Sequence, residues 1–490
     1  MRTGRAAGEL PAASLPKPSP PAGTSLFPPL EAGVRNIIED LIPLADEAFH
    51  TPRRFRSRLQ ADVAELSRLL TSGRGERDGG YLGRPGLLSA YLHYFLPWNV
   101  YRLCRLFSSP GWKPSLAEGD LVIDLGSGPL TLPIALWITR PELRKLRLEF
   151  RCVDRTGAVL EAGKKIFEAL VPGGLSRKTG SPVGADFLGA GAVRNGVVHG
   201  AAVHGGAGPW TVKTIRSAWD APRCGGGAKL VTAVNLFNEI YTGVVPGEGA
   251  EKAAARLAAL CGEEGSILVV EPGLPRSGAF IAALRSALLD RDRPPLAPCP
   301  HSGGCPLPGN SGRGRGKAKW CHFAFETSDA PKNLRRLSAA AGIPKERATL
   351  SFLLAGPRRR DAAGTPPPSA RRRTLMVRII SDPFPLPSPS APPVSIPASG
   401  TTAPIPVSSG AGQRWGRYGC SAEGLVLAAA FPSSVTPAGD RGVGELDSGT
   451  LLELPLSAGE KRDLKSGALL LEYTGNGIKQ AQGRQGNLSI

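Results

Sequence analysis

The stretch Asp120–Leu130, DLVIDLGSGPL, decides the fold that the sequence predicts. It begins as a short apolar run, typical of a buried strand, and passes directly into a glycine-rich turn. The segment behind it, TLPIALWITR (residues 131–140), is typical of a helix. Glycines at the end of a strand let the backbone approach a ligand, and the next helix offers free N–H groups. The stretch therefore predicts a ligand-binding turn, with a plain tight turn as the simpler alternative.

The same alternation of strands and helices continues along the chain. Three further pairs follow: LRLEFRCVDRTG (146–157) with AVLEAGKKIFEAL (158–170), AKLVTAVNLFNEIY (228–241) with GAEKAAARLAALC (249–261), and GSILVVEPG (265–273) with SGAFIAALRSALLD (277–290). Strands and helices at these distances indicate βαβ units, and hence an α/β fold whose mostly parallel sheet is covered on both faces.

The turn chemistry narrows the fold further. Asp124, Gly126 and Gly128 form a D-x-G-x-G pattern at the end of the first strand, and Asp154 ends the second strand. A carboxylate there can accept hydrogen bonds from both hydroxyls of a ribose. This combination resembles the class I S-adenosylmethionine-dependent methyltransferases, which have a Rossmann-like sheet.

The methyltransferase resemblance implies roles for individual residues. Gly126 and Gly128 would flank the methionine part of S-adenosylmethionine, and Asp154 would hold the ribose. Asn235, with Asn238, would lie near the methyl group at the end of the fourth strand. Pro129-Leu130 stands where many members have another glycine, so we expect the side chain at 130 to crowd the cofactor pocket.

Three of the eight cysteines lie in loops rather than in apolar runs. Cys299 and Cys305 belong to CPHSGGCPL (299–307), and Cys321 belongs to WCHF (320–323). Thiolates bind zinc or iron–sulfur clusters, so the grouping predicts a metal site, with three free thiols as the alternative. The fourth ligand could be Cys420, and His301 or His322 could complete a zinc site instead. The remaining cysteines, Cys104, Cys152, Cys224 and Cys261, are interpreted as packing residues.

Charge predicts the class of partner. Lys and Arg number 60 against 41 acids, a formal net charge of +19, which favours binding to a polyanion such as RNA. Arg313, Arg315, Lys317 and Lys319 alternate with small residues in GRGRGKAKW (312–320), and further arginines occupy 358–360 and 371–373. Such cationic strands suit phosphate contacts; a solvated linker is the alternative.

Changes in composition and in apolar pattern along the chain predict the domain organisation. The predicted units are a disordered Pro-rich tail (1–30), a helical region (31–115), a methyltransferase-like domain (116–295), a Cys-rich metal- and RNA-binding region (296–380), a disordered Pro/Ser linker (381–413), a small β-rich module (414–475) and a tail (476–490). Within the helical region, Pro97 is expected to break or kink a helix.

The order of AYLHYFLPWN, IDLGSGPLT, VVEPGLPRSG, CPHSGGCPL, WCHF and GCSAEG resembles one family across roughly residues 80–430. This family is the methyltransferase-like proteins of small-ribosomal-subunit assembly, which occur in mitochondria and have bacterial relatives. The resemblance implies a [4Fe–4S] cluster on Cys299, Cys305, Cys321 and Cys420, and binding to small-subunit rRNA during maturation.

Two functions therefore remain: an rRNA methyltransferase, or an assembly factor that uses the methyltransferase fold as a binding platform, which we favour. The sequence lacks a window of about 20 apolar residues, so we expect no membrane span. It also lacks the apolar run of a secretory signal. The expected location is cytoplasmic, as in bacteria, with the mitochondrial matrix as the alternative, and we expect a monomer.

Overall fold

The computed structural model describes residues 25–48, 53–73, 76, 80–110, 115–171, 209–221, 224–241, 244–307, 319–359, 374–386, 415–429, 442–456 and 461–473. Several predictions lie outside the described residues: those for Arg313, Arg315, Lys317 and residues 371–373, for most of the tail 1–30 and the linker 381–413, and for the tail 476–490. Within these ranges, no helix is both long and apolar enough to cross a membrane.

The predicted helical region is helical. It contains α1 (Ala32–Ala48), α2 (Arg53–Arg56), α3 (Leu59–Leu70), α4 (Pro85–Ala90), a π-helical turn (Tyr91–Phe95) and α5 (Leu96–Phe107). Apolar spacing explains the packing, since α3 buries Val63, Leu66 and Leu69 on one face. Pro97 does not break the chain of helices. It falls in the first turn of α5, where a missing N–H costs little, and the π-helical turn precedes it.

Strands and helices then alternate as predicted. The elements are β1 (Leu121–Leu125), α6 (Thr131–Thr139), β2 (Leu148–Asp154), α7 (Gly157–Leu170), β3 (Trp210–Arg216), β4 (Ala228–Val234), α8 (Phe237–Ile240), α9 (Pro246–Leu260), β5 (Cys261–Pro272), α10 (Pro275–Leu289), β6 (Pro295–Ala297), β7 (Phe323–Glu326), α11 (Lys332–Ala340) and β8 (Arg347–Ala355).

These strands form one sheet, the first sheet, in the order β3-β2-β1-β4-β5-β8-β6, with β7 also paired to β8. The strands from β3 to β5 run parallel, whereas β8 is antiparallel to β5, β6 and β7. A doubly wound parallel sheet with one antiparallel strand inserted near its edge is the class I methyltransferase arrangement. The predicted fold class is therefore confirmed.

Both faces of the first sheet are covered, as a parallel sheet requires. Val122 of β1 packs into a core shared with the N-terminal helices, α6 and α7. Its neighbours Ile123 and Leu125 pack against α9 and α10 on the opposite face. Because successive side chains of a strand point to opposite faces of the sheet, this one short apolar run contributes to both cores.

A second sheet follows, formed by β9 (Thr374–Ile379), β10 (Phe384–Pro385), β11 (Trp415–Ser421), β12 (Gly424–Ala429), β13 (Leu451–Pro455) and β14 (Leu469–Glu472). Its order is β13-β9-β11-β12-β14, with β10 paired to β11. The Cys-rich region predicted at 296–380 therefore gives strands to both sheets: β6, β7 and β8 complete the first, and β9 enters the second.

Residues 25–30, assigned from sequence to a disordered tail, belong to the core. Leu26, Phe27 and Leu30 are each at most 5% exposed. The Phe27 ring stacks on Phe325 at a centroid distance of 5.0 Å. Arg105 anchors the segment by donating a 2.7 Å hydrogen bond to the Phe27 carbonyl. The proline-rich sequence around Phe27 is typical of disorder, so it does not predict that this ring is buried. The aromatic partners of Phe27 lie far along the chain.

We expect Phe27→Ala to lower the free energy of unfolding by about 3 kcal/mol, because it leaves a cavity among packed rings. Chemical denaturation followed by tryptophan fluorescence measures the change. Pro29→Ala, at an exposed position two residues away, is the matched control and should change stability by less than about 0.5 kcal/mol. Equal stability of the two variants would contradict a core role for this segment.

Candidate functional site

The glycine-rich turn has the geometry that the sequence predicts. Gly126 and Gly128 adopt φ of +65° and +53°, in the left-handed region that favours glycine. A Cβ on Gly126 would lie 2.6 Å from the Leu236 side chain. Glycine is therefore required at position 126 by backbone conformation and by the close approach of the β4–α8 connection.

Asp124 supports the turn from within the sheet. Its carboxylate accepts hydrogen bonds from the Ser127 hydroxyl at 2.5 Å and the Thr232 hydroxyl at 2.6 Å. Burial raises the pKa of Asp124 to about 6, opposed by these two hydrogen bonds and aided by the nearby Asp154. Asp124 is 2% exposed and both of its oxygens are engaged within the protein, so it supports the turn; a part for Asp124 in cofactor binding stays a prediction.

Asp154 occupies the predicted place at the end of β2. One oxygen accepts a 3.1 Å hydrogen bond from the Gly128 N–H, and the other accepts a 2.8 Å bond from the Thr156 N–H. Burial raises its pKa, against the lowering effect of those two backbone donors. A carboxylate oxygen has more than one acceptor position, so Asp154 keeps capacity for hydroxyl donors.

Leu130, the departure from the glycine pattern, also has a left-handed backbone, with φ of +58°. This conformation costs a leucine about 1 kcal/mol. Its side chain is fully buried in the core beneath the N-terminal helices, and such burial contributes about 2 kcal/mol. Packing thus explains why leucine is tolerated there; crowding of a cofactor pocket by Leu130 stays a prediction.

Beside the end of β4 lies a carboxylate of β5, Glu271, that the sequence analysis did not single out. Asn235 follows β4 with φ of +55° and donates its N–H to the Val270 carbonyl at 2.8 Å. The buried Glu271 of β5 accepts the N–H groups of Phe237 at 2.8 Å and Asn238 at 3.1 Å. Glu271 therefore fixes the start of α8, which carries Asn238. The signal was an acid inside the apolar run GSILVVEPG.

The N-terminal helices also reach the turn. The Tyr91 hydroxyl lies 3.9 Å from the position that a Cβ on Gly128 would occupy. Burial raises the pKa of Tyr91, and the nearby Glu239 and Asp154 carboxylates raise it further. Tyr91 lies in the π-helical turn, a feature frequent at functional sites. It is thus a further side chain at the candidate cofactor turn.

The predicted metal ligands come from separate segments that the first sheet brings together. Strands β6 and β7 pair with the same edge of β8, end to end: β6 ends opposite Leu354, and β7 begins opposite Leu350. Cys299 follows β6 and Cys321 precedes β7, so both lie at the gap between the two strands. The Ser351 hydroxyl, within that gap, donates a 2.7 Å hydrogen bond to the Cys321 carbonyl.

The four thiols interact electrostatically. Burial raises the pKa of Cys321, and Cys299, Cys420 and Cys305 raise it further. Burial likewise raises the pKa of Cys420, with Cys299 and Cys305 as the next causes. Among the described residues, no group of three or more Cys, His, Asp and Glu side chains is gathered closely enough to hold a metal ion. The structure thus brings the predicted ligands into one neighbourhood without forming a single-ion site.

The two histidines differ in their surroundings. His301 Nε2 lies 3.3 Å from the Cys420 sulfur, and burial lowers the pKa of His301 to about 4, helped by Arg285. The imidazole is therefore neutral at physiological pH. His322 instead stacks on Trp320 and its Nδ1 lies 3.1 Å from the Trp320 carbonyl oxygen.

Two buried arginines contact the cysteine loops, and the sequence analysis missed both. Arg285 of α10 donates from Nε to the Cys299 sulfur at 3.3 Å. Arg378 of β9 lies opposite Cys420 in the register of the second sheet and donates to the Pro298 carbonyl at 2.9 Å. The available signal was a single charge inside each of two apolar runs, FIAALRSALL and TLMVRII.

Of the four predicted RNA-binding residues, Lys319 is described. Its ammonium lies 3.3 Å from the centroid of the Tyr418 ring, and Tyr418 in turn stacks on Phe384 at 4.9 Å. All three side chains are partly exposed. Lys319 therefore contacts one of two stacked aromatic rings at the second sheet.

Comparisons with known proteins agree with parts of this site. Residues 247–383 match a family model described as Rsm22, the mitochondrial small ribosomal subunit protein Rsm22. The matched segment contains Cys299, Cys305 and Cys321, together with both arginines that contact the cysteine loops. A search of curated proteins found no match to the chain.

Solved structures with some similarity include two named as methylating enzymes and one named without an activity. The YcgJ protein of Bacillus subtilis is 8% identical, with 54% of this chain and 99% of that chain covered and a TM-score of 0.27. The geranyl diphosphate C-methyltransferase of Streptomyces coelicolor is 9% identical, with 50% and 74% covered and a TM-score of 0.25. The ribosomal protein L11 methylase of Lactobacillus delbrueckii is 13% identical, with 40% and 70% covered and a TM-score of 0.23.

The fold assignment rests on the strand order of the first sheet. The family match covers the segment that contains Cys299, Cys305 and Cys321. These three cysteines and Cys420 are called the cysteine centre below. Over residues 247–383 the chain is similar to the mitochondrial small-ribosomal-subunit family Rsm22, which confirms the family resemblance over that segment.

Proposed function

We propose that the protein is an RNA-binding assembly or translation factor of the small ribosomal subunit, with a methyltransferase-like fold and a [4Fe–4S] cluster. The observation that carries this proposal is that Cys299, Cys305, Cys321 and Cys420 lie in one neighbourhood and influence one another electrostatically, next to His301. The matched family description supports the small subunit as partner, and its word mitochondrial favours the matrix over a bacterial-type cytoplasm.

The chemistry of this neighbourhood suits a thiolate-held cluster. Cys299, Cys305, Cys321 and Cys420 would be the ligands, since each thiol could exchange its proton for iron. His301 Nδ1 and Arg285 Nη1 are buried without a hydrogen-bond partner in the described structure, so polar groups stand ready around the thiols. When bound, a cluster would cross-link the loops of both sheets.

A structural zinc ion is the alternative cofactor. His301, 3.3 Å from the Cys420 sulfur, is better placed than His322 to replace one thiolate ligand. Zinc would tie the same loops together and leave the proposed partner unchanged. The iron, zinc and acid-labile sulfide content of the purified protein distinguishes the cluster from the zinc ion.

An RNA partner follows from the charge around the cysteine centre. The basic segment that contains Arg313, Arg315 and Lys317 lies between two of the proposed ligands, Cys305 and Cys321. A metal that fixes those ligands would hold both ends of the segment. Lys319, Tyr418 and Phe384 add a cation and stacked rings, the groups that contact phosphates and bases.

A second candidate function is S-adenosylmethionine-dependent methyl transfer to rRNA. The geometry of Gly126, Gly128 and Asp154 favours it. The glycines would let the cofactor approach the backbone, and Asp154 would accept the ribose hydroxyls. Asn235 would lie at the methyl-bearing end of the sheet.

Metal analysis of anaerobically purified protein tests the cofactor. We expect about four irons and four acid-labile sulfides per chain. Changing Cys299, Cys305, Cys321 or Cys420 to Ser should remove most of the iron. Cys104→Ser, at a buried thiol within α5, is the control and should retain it. One zinc and no sulfide would replace the cluster by a structural zinc site.

Filter-binding with small-subunit rRNA at several salt concentrations tests the partner. We expect affinity to fall steeply with salt, because phosphate contacts release counterions. Changing Arg313, Arg315 and Lys317 together to Gln should reduce the magnitude of the log–log salt slope by about 2. Lys164→Gln with Lys165→Gln, on the exposed face of α7, is the control. Binding that ignores salt would refute the RNA proposal.

Calorimetric titration with S-adenosylmethionine tests the second candidate. If the turn binds the cofactor, Asp154→Ala should weaken affinity at least about tenfold, because the two ribose hydroxyls lose a charged acceptor worth about 1.5 kcal/mol. Glu161→Ala, exposed on α7, should leave affinity unchanged. No heat from the wild-type protein at high micromolar ligand would exclude the enzyme and leave the assembly factor.

A further inference from the structure

We propose that Arg285 and Arg378 are the positive counterpart of the cysteine centre: two buried guanidinium groups that position its loops and raise the reduction potential of the bound cluster. This inference rests on the proposed [4Fe–4S] site and concerns residues that the sequence pattern did not reveal. It makes both arginines positioning residues, because neither would bind iron.

Arg285 reaches the first cysteine loop from α10. Its side chain is buried, at 2% exposure for the residue. Besides the Cys299 sulfur, it holds the loop backbone, since Nη2 donates to the His301 carbonyl at 2.9 Å and the Gly303 carbonyl at 2.6 Å. Its Nη1 has no hydrogen-bond partner in the described structure. No ion pair joins Arg285 to a carboxylate among the described residues, and the thiol that it contacts is that of Cys299.

Arg378 reaches the same centre from the second sheet. It is 3% exposed, and its guanidinium bridges Pro298, directly before Cys299, and Gly449, whose carbonyl accepts at 2.8 Å. Burial lowers the pKa of Arg378 to about 10, while Cys299, Cys420 and Cys321 act to raise it. The cation that joins the two sheets is thus electrostatically coupled to three of the four thiols.

A buried positive charge is costly unless a negative group or several hydrogen bonds compensate it. Elsewhere in the core, Arg105 has a carboxylate partner, Asp329, at 2.7 Å. Arg285 has two carbonyls and the Cys299 sulfur instead, and Arg378 has two carbonyls. Four thiolates would bring negative charge into the same buried space, so the two arginines and the ligands would stabilise each other once the site is loaded.

Charge near an iron–sulfur centre sets its reduction potential, as do hydrogen bonds to the sulfurs. Reduction adds one negative charge, which a nearby cation stabilises. Removing Arg285 or Arg378 should therefore lower the midpoint potential. If the two arginines only held the loops in place, removing either one would affect folding and leave the midpoint potential unchanged.

Arg293 provides the matched control. It is equally buried, at 3% exposure, and donates to the backbone carbonyls of Gly265 at 3.0 Å and Gly262 at 3.0 Å. Among the described residues, none of its hydrogen bonds reaches the cysteine loops. Arg293→Gln thus removes a buried, carbonyl-bound guanidinium without changing the charge beside the proposed ligands.

The experiment is an anaerobic redox titration of the full chain with dithionite, followed by electron paramagnetic resonance. We expect Arg285→Gln and Arg378→Gln each to weaken reduction about tenfold, a downward shift of about 59 mV for a one-electron couple. Arg285→Lys and Arg378→Lys, which keep the charge, should recover most of that shift. Arg293→Gln should lower the melting temperature without moving the potential.

The outcomes separate the two proposals. Wild-type protein without iron and sulfide would remove the cluster itself, and this inference with it. A normal wild-type cluster whose potential is the same in Arg285→Gln, Arg378→Gln and Arg293→Gln would overturn the inference alone. If the Gln variants lose their iron, the Lys variants decide: iron retained near the wild-type potential supports a charge role, and iron lost equally from Lys and Gln variants overturns it.

Discussion

The pairing of β8 is the constraint on which the rest of the structure depends. This strand closes the parallel sheet by running antiparallel to β5, and its other edge holds β6 and β7 end to end. Cys299 and Cys321 lie at the gap between the two short strands because both strands share that edge. The second sheet then adds Cys420 through Arg378. A strand without any chemistry-bearing motif thus assembles the cysteine centre from distant segments.

The parts that local pattern could predict are those in which sequence neighbours are also spatial neighbours. The DLGSG turn, the carboxylate of Asp154 and the alternation of strands with helices all depend on contacts within one βαβ unit. Cysteines flanked by prolines were also recognisable, because loops that avoid apolar residues stand out. Each of these features lies within a window of about 30 residues, where periodicity and turn chemistry dominate.

The remaining parts depend on contacts across long stretches of chain. The sequence does not show that β6, β7 and β8 belong to the first sheet, since two of them are too short for a clear period. It does not show the partners of Arg285, Arg378 or Glu271 either. A single charge within an apolar run indicates a buried polar role, but only the topology identifies the role. Phe27 was missed for the same reason, because its proline-rich neighbours are typical of disorder.

The packing of Phe27 has a consequence for biosynthesis. Its ring contacts Phe323, Phe325 and Phe352, which the ribosome adds long after the α1–α7 segment has been made. Until then these rings are missing from the packing of Phe27, and transiently exposed apolar surface of this kind favours aggregation and chaperone binding. The contacts between Phe27 and these rings therefore form late. Because the partners are far apart in the sequence, forming these contacts is a slow step of folding. A nascent chain that stalls before β8 would present both an open hydrophobic seam and unassembled thiols to quality control.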